Sequence, residues 1–120
     1  MTRLSIEEKD ILIGTILGDA HVRKLKQESR VEITHSTQQK AYLFWKYEKL
    51  KRWCGAKPHL VRIHDARYQK EYLQWRFNTV SRTVFDDLRK IFYRGRIKII
   101  PQNISEIITS PLSLAVWFMG

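Results

Sequence analysis

Apolar positions along the chain alternate between helical and strand spacing. Ser5 followed by Glu8 has the spacing of a helix start, and the apolar run that follows predicts a helix of about 14 residues within Leu4 to Ala20. From His21 to His35 the period falls to two, which predicts a hairpin with Val22, Val31 and Ile33 facing inward and Lys26-Gln27-Glu28-Ser29 between its strands. Ser36 and Gln39 repeat the capping spacing. Leu43, Phe44, Tyr47, Leu50 and Cys54 then recur at helical intervals until Gly55, a second helix of about 17 residues. After Pro58, alternation in His59 to Asp65 and Tyr72 to Thr79 around Arg67-Tyr68-Gln69-Lys70 predicts another hairpin. Val84, Phe85, Leu88, Ile91 and Phe92 form a third helical stripe, stopped by Gly95. Ser110-Pro111 opens a last, buried helix. The order is helix, hairpin, helix, hairpin, helix, short link, helix. It describes one α+β domain over residues 1–120, with an antiparallel sheet packed on helices.

If Val22, Val31, Ile33, Val61, Ile63, Leu73, Trp75 and Phe77 face the core, their neighbours share the opposite face. That face carries His21, Arg23, Arg30, Glu32, Thr34, Arg62, His64, Tyr72, Gln74, Arg76 and Asn78. Arg, His, Gln and Asn are the side chains that reach base edges and phosphates. The plainer alternative is a solvated sheet face.

Charge sharpens the choice. The 120 residues carry 22 Lys and Arg against 12 Asp and Glu, a net +10, a field that attracts nucleic acid before a neutral metabolite. A hydrophobic content of 43% is too high for a disordered basic tail. Cys54 is the single cysteine, so no internal disulfide forms and a reducing compartment is permitted. Ile11 to Leu17 and Leu112 to Met119 are too short to span a bilayer, so no membrane partner is expected. Glu7, Glu8 and Asp10 argue against a cleavable signal, and the chain reads as soluble and intracellular, in cytoplasm or an organellar matrix.

Two glycines four apart, Gly14 and Gly18, allow close helix approach, and Asp19 follows directly. Alone, these are ordinary helix packing and a polar stop. A second apolar helix, Leu114-Ala115-Val116-Trp117-Phe118-Met119-Gly120, also ends in glycine and looks like a copy of the first. Cys54, His59, His64 and His35 match no zinc-finger spacing. Trp45, Tyr47 and Trp53 could stack on bases, but their helical spacing favours core packing.

ILIGTILGDAHV and PLSLAVWFMG resemble the two motif copies of the LAGLIDADG homing endonucleases, specifically the intron-encoded, single-chain branch. Leu12, Gly14, Ile16, Gly18 and Asp19 fall on the first motif, whereas Ile13 and Val116 depart from it at small-residue positions. The resemblance implies an αββαββα unit whose motif helices pack through Gly14, Gly18, Ala115 and Gly120, with the sheet as half of a saddle on double-stranded DNA. It implies site-specific hydrolysis of both strands with Mg²⁺ or another divalent cation. Asp19 would be the catalytic metal ligand and Lys98 the lysine near the scissile phosphates. It further implies that these residues are the N-terminal half of the enzyme, ending one position before a second acid. The missing half or a second copy of the chain would then be its partner. A non-cleaving module that holds DNA or intron RNA, as maturases do, is the alternative. An acid facing a phosphate backbone favours the enzyme.

Overall fold

A computed structural model describes residues 3–119. Helix α1 spans Ile6–Leu17 and begins with the anticipated reciprocal cap: Glu8 N donates to Ser5 Oγ at 3.1 Å, and Ser5 N donates to Glu8 Oε1 at 2.8 Å. Every residue from Ile11 to Ile16 is buried, so α1 is the central element. Strands β1 (His21–Lys24) and β2 (Ser29–Ser36) follow as a hairpin. The second helical segment has 3₁₀ turns at Thr37–Gln39 and Lys51–Trp53 flanking α2 (Lys40–Leu50). Neither Ser36 nor Gln39 makes the anticipated side-chain cap, because the tight first turn moves the α-helical start to Lys40.

Strands β3 (His59–Asp65) and β4 (Lys70–Asn78) complete an antiparallel sheet of order β1-β2-β4-β3. Helices α2 and α3 (Thr83–Phe92) cover one face, where Val22, Val31, Ile33 and Phe77 are buried with Leu43, Leu50, Trp53, Phe85, Leu88 and Phe92. Tyr47 and Trp53 belong to this core, edge-on to Phe77 and Phe85. Trp45 is instead partly exposed and stacks on Tyr42. Cys54 is half-buried, its Sγ 3.4 Å from the Leu50 carbonyl, and burial pushes its thiol up to about 12.

The C-terminal third departs from expectation in three places. In place of a plain link after α3, β5 (Tyr93–Arg94) and β6 (Ile97–Lys98) form a tight hairpin turned by Gly95 at φ +61°. A short helix α4 (Ile104–Ile107) then packs its isoleucines on the core. Helix α5 (Pro111–Met119) starts as anticipated, with Ser113 N donating to Ser110 Oγ at 3.1 Å, but it is not buried all round. Only Ser113 and Val116 are fully covered, and Leu114, Phe118 and Met119 face solvent.

The crossing of α1 and α5 rests on Gly14. A Cβ there would stand 2.4 Å from the Ser113 carbonyl oxygen and 2.9 Å from Val116 Cβ, so glycine is required for the contact. Ser113 Oγ donates to the Asp10 carbonyl at 2.7 Å and Tyr42 Oη to the Val116 carbonyl at 3.0 Å, joining α1, α2 and α5. Ala115 is not part of this contact. Helical spacing turns it away from α1, so it is exposed beside Tyr42 and Trp45. The packing expected of Gly120 lies outside the described residues.

Candidate nucleic-acid interface and its acid

The face of the sheet opposite α2 and α3 is uncovered, and the register arranges it in rows. His21, Glu32 and Asn78 form one row; Thr34, Arg76 and His59 another; Ser36, Gln74 and Val61 a third. Arg23 stands opposite Arg30, and Tyr72 opposite Ile63. Nine of the eleven side chains anticipated on this face thus share it. Arg62 and His64 do not. They pair with Leu73 and Glu71 and project from the helix side, while Val61 and Ile63, expected inward, lie on the open face beside Gln74 and Tyr72. The reason is that β3 is an edge strand beyond the helices. Phe44 reaches as far as Trp75, and past it Leu60 and Leu73 are 48% and 45% exposed. With no buried face to satisfy, apolar alternation does not set the orientation of the strand. The same register adds His59 and Lys70 to the open face.

Side chains on this face are partly pre-arranged. Arg30 donates twice to Glu32, at 3.0 and 2.8 Å, and Arg23 lies 3.7 Å from the same carboxylate. Arg76 Nε donates to Thr34 Oγ1 at 3.1 Å, leaving its remaining N–H groups for a partner. Tyr72 Oη donates to Asp65 at 3.2 Å, a bond that raises its phenol pKa. On the helix side, Arg62 is held by Glu71 at 3.0 Å.

Asp19 sits just beyond the Gly18 cap of α1, with its side chain 58% exposed. It lines one groove together with His21, Thr34, His35, Gln74 and Arg76, so the acid borders the open face. Lys98, at the end of β6, donates to the Gly18 carbonyl at 3.1 Å and to the Ala20 carbonyl at 2.7 Å, bracketing Asp19. Burial lowers the Lys98 pKa, with the Asp19 charge opposing. Two residues that sequence reasoning did not place here complete the surroundings. His35, on the covered face of β2, brings Nδ1 to 4.0 Å from Asp19 Oδ2; Lys46, on α2, brings Nζ to 2.8 Å from His35 Nε2. Burial pushes Lys46 down to about 8 and lowers His35, helped by the Lys46 charge. A signal for Lys46 was available. It lies three residues past Leu43 and four before Leu50, within the apolar stripe of α2.

The hard, exposed oxygens of Asp19 suit a divalent cation. The adjoining carbonyls are taken by Lys98, and among the described residues no group of three His, Cys, Asp or Glu side chains is placed to hold a metal. Asp19 therefore fits a divalent cation as a single ligand, and the described residues do not complete a site around it. His59 and His64 project to opposite faces of the sheet, so they do not combine with Cys54 and His35 as a zinc site.

Residues 9–120 match the family model described as the LAGLIDADG DNA endonuclease family. The chain belongs to that family. Its LAGLIDADG relatives include DNA endonuclease I-ChuI of Chlamydomonas applanata, 29% identical across 97% of this chain and 57% of the relative. Probable intron-encoded endonuclease 1 of Wickerhamomyces canadensis is 30% identical across 98% of this chain and 51% of its own length. Cytochrome b mRNA maturase bI2 of Saccharomyces cerevisiae is 26% identical, with 30% of its length covered. The solved structure of the homing endonuclease I-WcaI bound to its DNA recognition sequence superposes with a TM-score of 0.87 at 28% identity, covering 99% of this chain and 52% of that one. This chain thus spans about half the length of its endonuclease relatives. The LAGLIDADG fold expected from the motif copies is the one observed, with the copies on α1 and α5.

Proposed function

We propose that the chain is one unit of a site-specific, metal-dependent DNA endonuclease that grips duplex DNA through the open face of its sheet. The observation that carries this reading is the shared groove: Asp19 at the tip of α1 opens into the same depression as His21, Thr34, Gln74 and Arg76. A nuclease needs its acid within reach of the backbone its basic residues hold, and here both border one surface. Arg23, Arg30, Arg76 and Lys70 neutralise phosphates along the duplex, and Gln74 offers a paired donor and acceptor to base edges. A divalent cation such as Mg²⁺, held by Asp19, supplies Lewis-acid charge at the phosphodiester. Lys98 keeps the acid-bearing end of α1 in place and adds positive charge beside it. A second such unit, in the same polypeptide or as a second copy, supplies the other acid and the other half of the saddle.

The similarity to a maturase supports a second reading in which the same scaffold holds intron RNA without cutting. Binding of the protein to a random DNA duplex, followed by fluorescence anisotropy at rising salt, separates the readings when structured RNA is added as competitor. The expected result is DNA binding that weakens steeply with salt, and any Mg²⁺-dependent plasmid cleavage that is seen disappears in Asp19→Asn while binding stays. Displacement of DNA by structured RNA at equal concentration, or cleavage retained in Asp19→Asn, overturns the nuclease reading.

A further inference from the structure

Lys46 is 1% exposed and His35 is 3% exposed, an unusual place for an ammonium, since burial at such a position favours leucine or methionine. Its Nζ lies 2.8 Å from His35 Nε2 and 4.3 Å from the centroid of the Tyr42 ring. An ammonium has three donors and no acceptor, so Nε2 must accept, and a neutral imidazole that accepts at Nε2 carries its proton on Nδ1. Among the described residues, Nδ1 has no hydrogen-bond partner, although its atom is buried. It is aimed at Asp19, whose Oδ2 is 4.0 Å away on a side chain free to rotate. That separation is too long for a hydrogen bond and short enough for one rotamer adjustment of an exposed carboxylate to close it.

We propose that Lys46 locks His35 in the Nδ1–H tautomer and that His35 in turn fixes the orientation of the Asp19 carboxylate, leaving its other oxygen outward. The inference rests on the reading of Asp19 as a metal-holding acid. His35 and Lys46 are then positioning residues, not catalytic ones. The arrangement ties three elements to the tip of α1: β2 through His35, α2 through Lys46, and α5 through Tyr42, whose hydroxyl donates to the Val116 carbonyl. Polar groups behind a metal-binding side chain act in this way elsewhere, and removing them weakens metal binding by about tenfold or more. The Tyr42 ring, 5.3 Å from that of His35, closes the pocket on one side and holds the ammonium over its face.

The test uses the ¹⁵N-labelled 120-residue protein and needs neither DNA nor cleavage. Long-range ¹H–¹⁵N correlation of the His35 ring should show the proton on Nδ1 in the parent and a larger share of the Nε2–H tautomer in Lys46→Met. Mn²⁺ titration, read by broadening of the Asp19 and Ala20 amides, should weaken by about tenfold in His35→Phe. His35→Asn, whose amide nitrogen takes the place of Nδ1, should recover most of the loss, which a purely structural histidine would not allow. An Nε2–H tautomer in the parent overturns the inference, as does a His35→Phe protein with unchanged Asp19 χ1 couplings. If Mn²⁺ broadens nothing near Asp19 in the parent, the metal reading of Asp19 fails instead, and the tautomer and χ1 couplings still decide the role of Lys46 and His35.

Discussion

The Lys98 ammonium donates to the Ala20 carbonyl at 2.7 Å, binding the hairpin after α3 to the residue that follows Asp19. Its second bond, to Gly18, makes Lys98 a clamp across the acid-bearing tip. Lys98→Met should cost about 1.5–3 kcal/mol in urea unfolding, the range for hydrogen bonds to a charged group. Amide exchange should quicken locally at residues 18–20. Unchanged protection there would mean that the clamp does not form in solution.

Gly14→Ala places a methyl group against the Ser113 carbonyl oxygen and Val116, where backbone must move to admit it. The expected loss is about 1–3 kcal/mol, as for overpacked cores. Leu114→Ala, on the exposed side of α5, should change stability by less than about 0.5 kcal/mol. Equal thermal midpoints for the Gly14→Ala protein and the parent would contradict the close helix crossing.

Glu8 joins the cap of α1 to Arg52, which donates to it at 2.6 and 2.5 Å and holds its carboxyl down at about 2. A depressed carboxyl stabilises the fold above its unfolded pKa, and that contribution is lost as pH falls from about 4.5 toward 2. Because the Arg52 side chain is 42% exposed, the contribution is about 2 kcal/mol and not the full shift. In Arg52→Met the loss of stability should be larger at pH 6 than at pH 3, so that the fall between the two becomes shallower, as denaturant melts at both pH values will show.

The register separates two arginines that the pattern alone would group. Arg76→Ala should weaken DNA binding and lower the salt slope by about one counterion. Arg62→Ala, on the other face and already paired with Glu71, should leave both nearly unchanged. Anisotropy titrations at three salt concentrations distinguish the two, and a larger effect from Arg62 would reverse the facing of β3.

Local signals were readable in the chain wherever the structure also uses them locally. Ser5 and Glu8 mark the first helix, Val31 and Ile33 alternate over a covered face, and Gly14 stands where a backbone approaches. Asp19 draws attention by its place after Gly18, and the structure sets it at the border of the open face. What escaped depends on partners distant in sequence. Val61 and Ile63 look inward only if β3 has a core beneath it, and α5 looks buried because apolar residues surround its whole circumference. The His35–Lys46 contact joins a strand to a helix across a covered face, and nothing in either segment announces the other.

The edge position of β3 has an evolutionary consequence. His59, Val61 and Ile63 present side chains to the open face from a strand that carries no buried flank, so exchanging them disturbs little packing. Thr34 and Asn78, by contrast, alternate with buried Ile33 and Phe77 in strands held on both sides. Under the proposed DNA-reading role, change of base preference would therefore begin most cheaply at the rim, where three positions can vary before the scaffold's stability is drawn on.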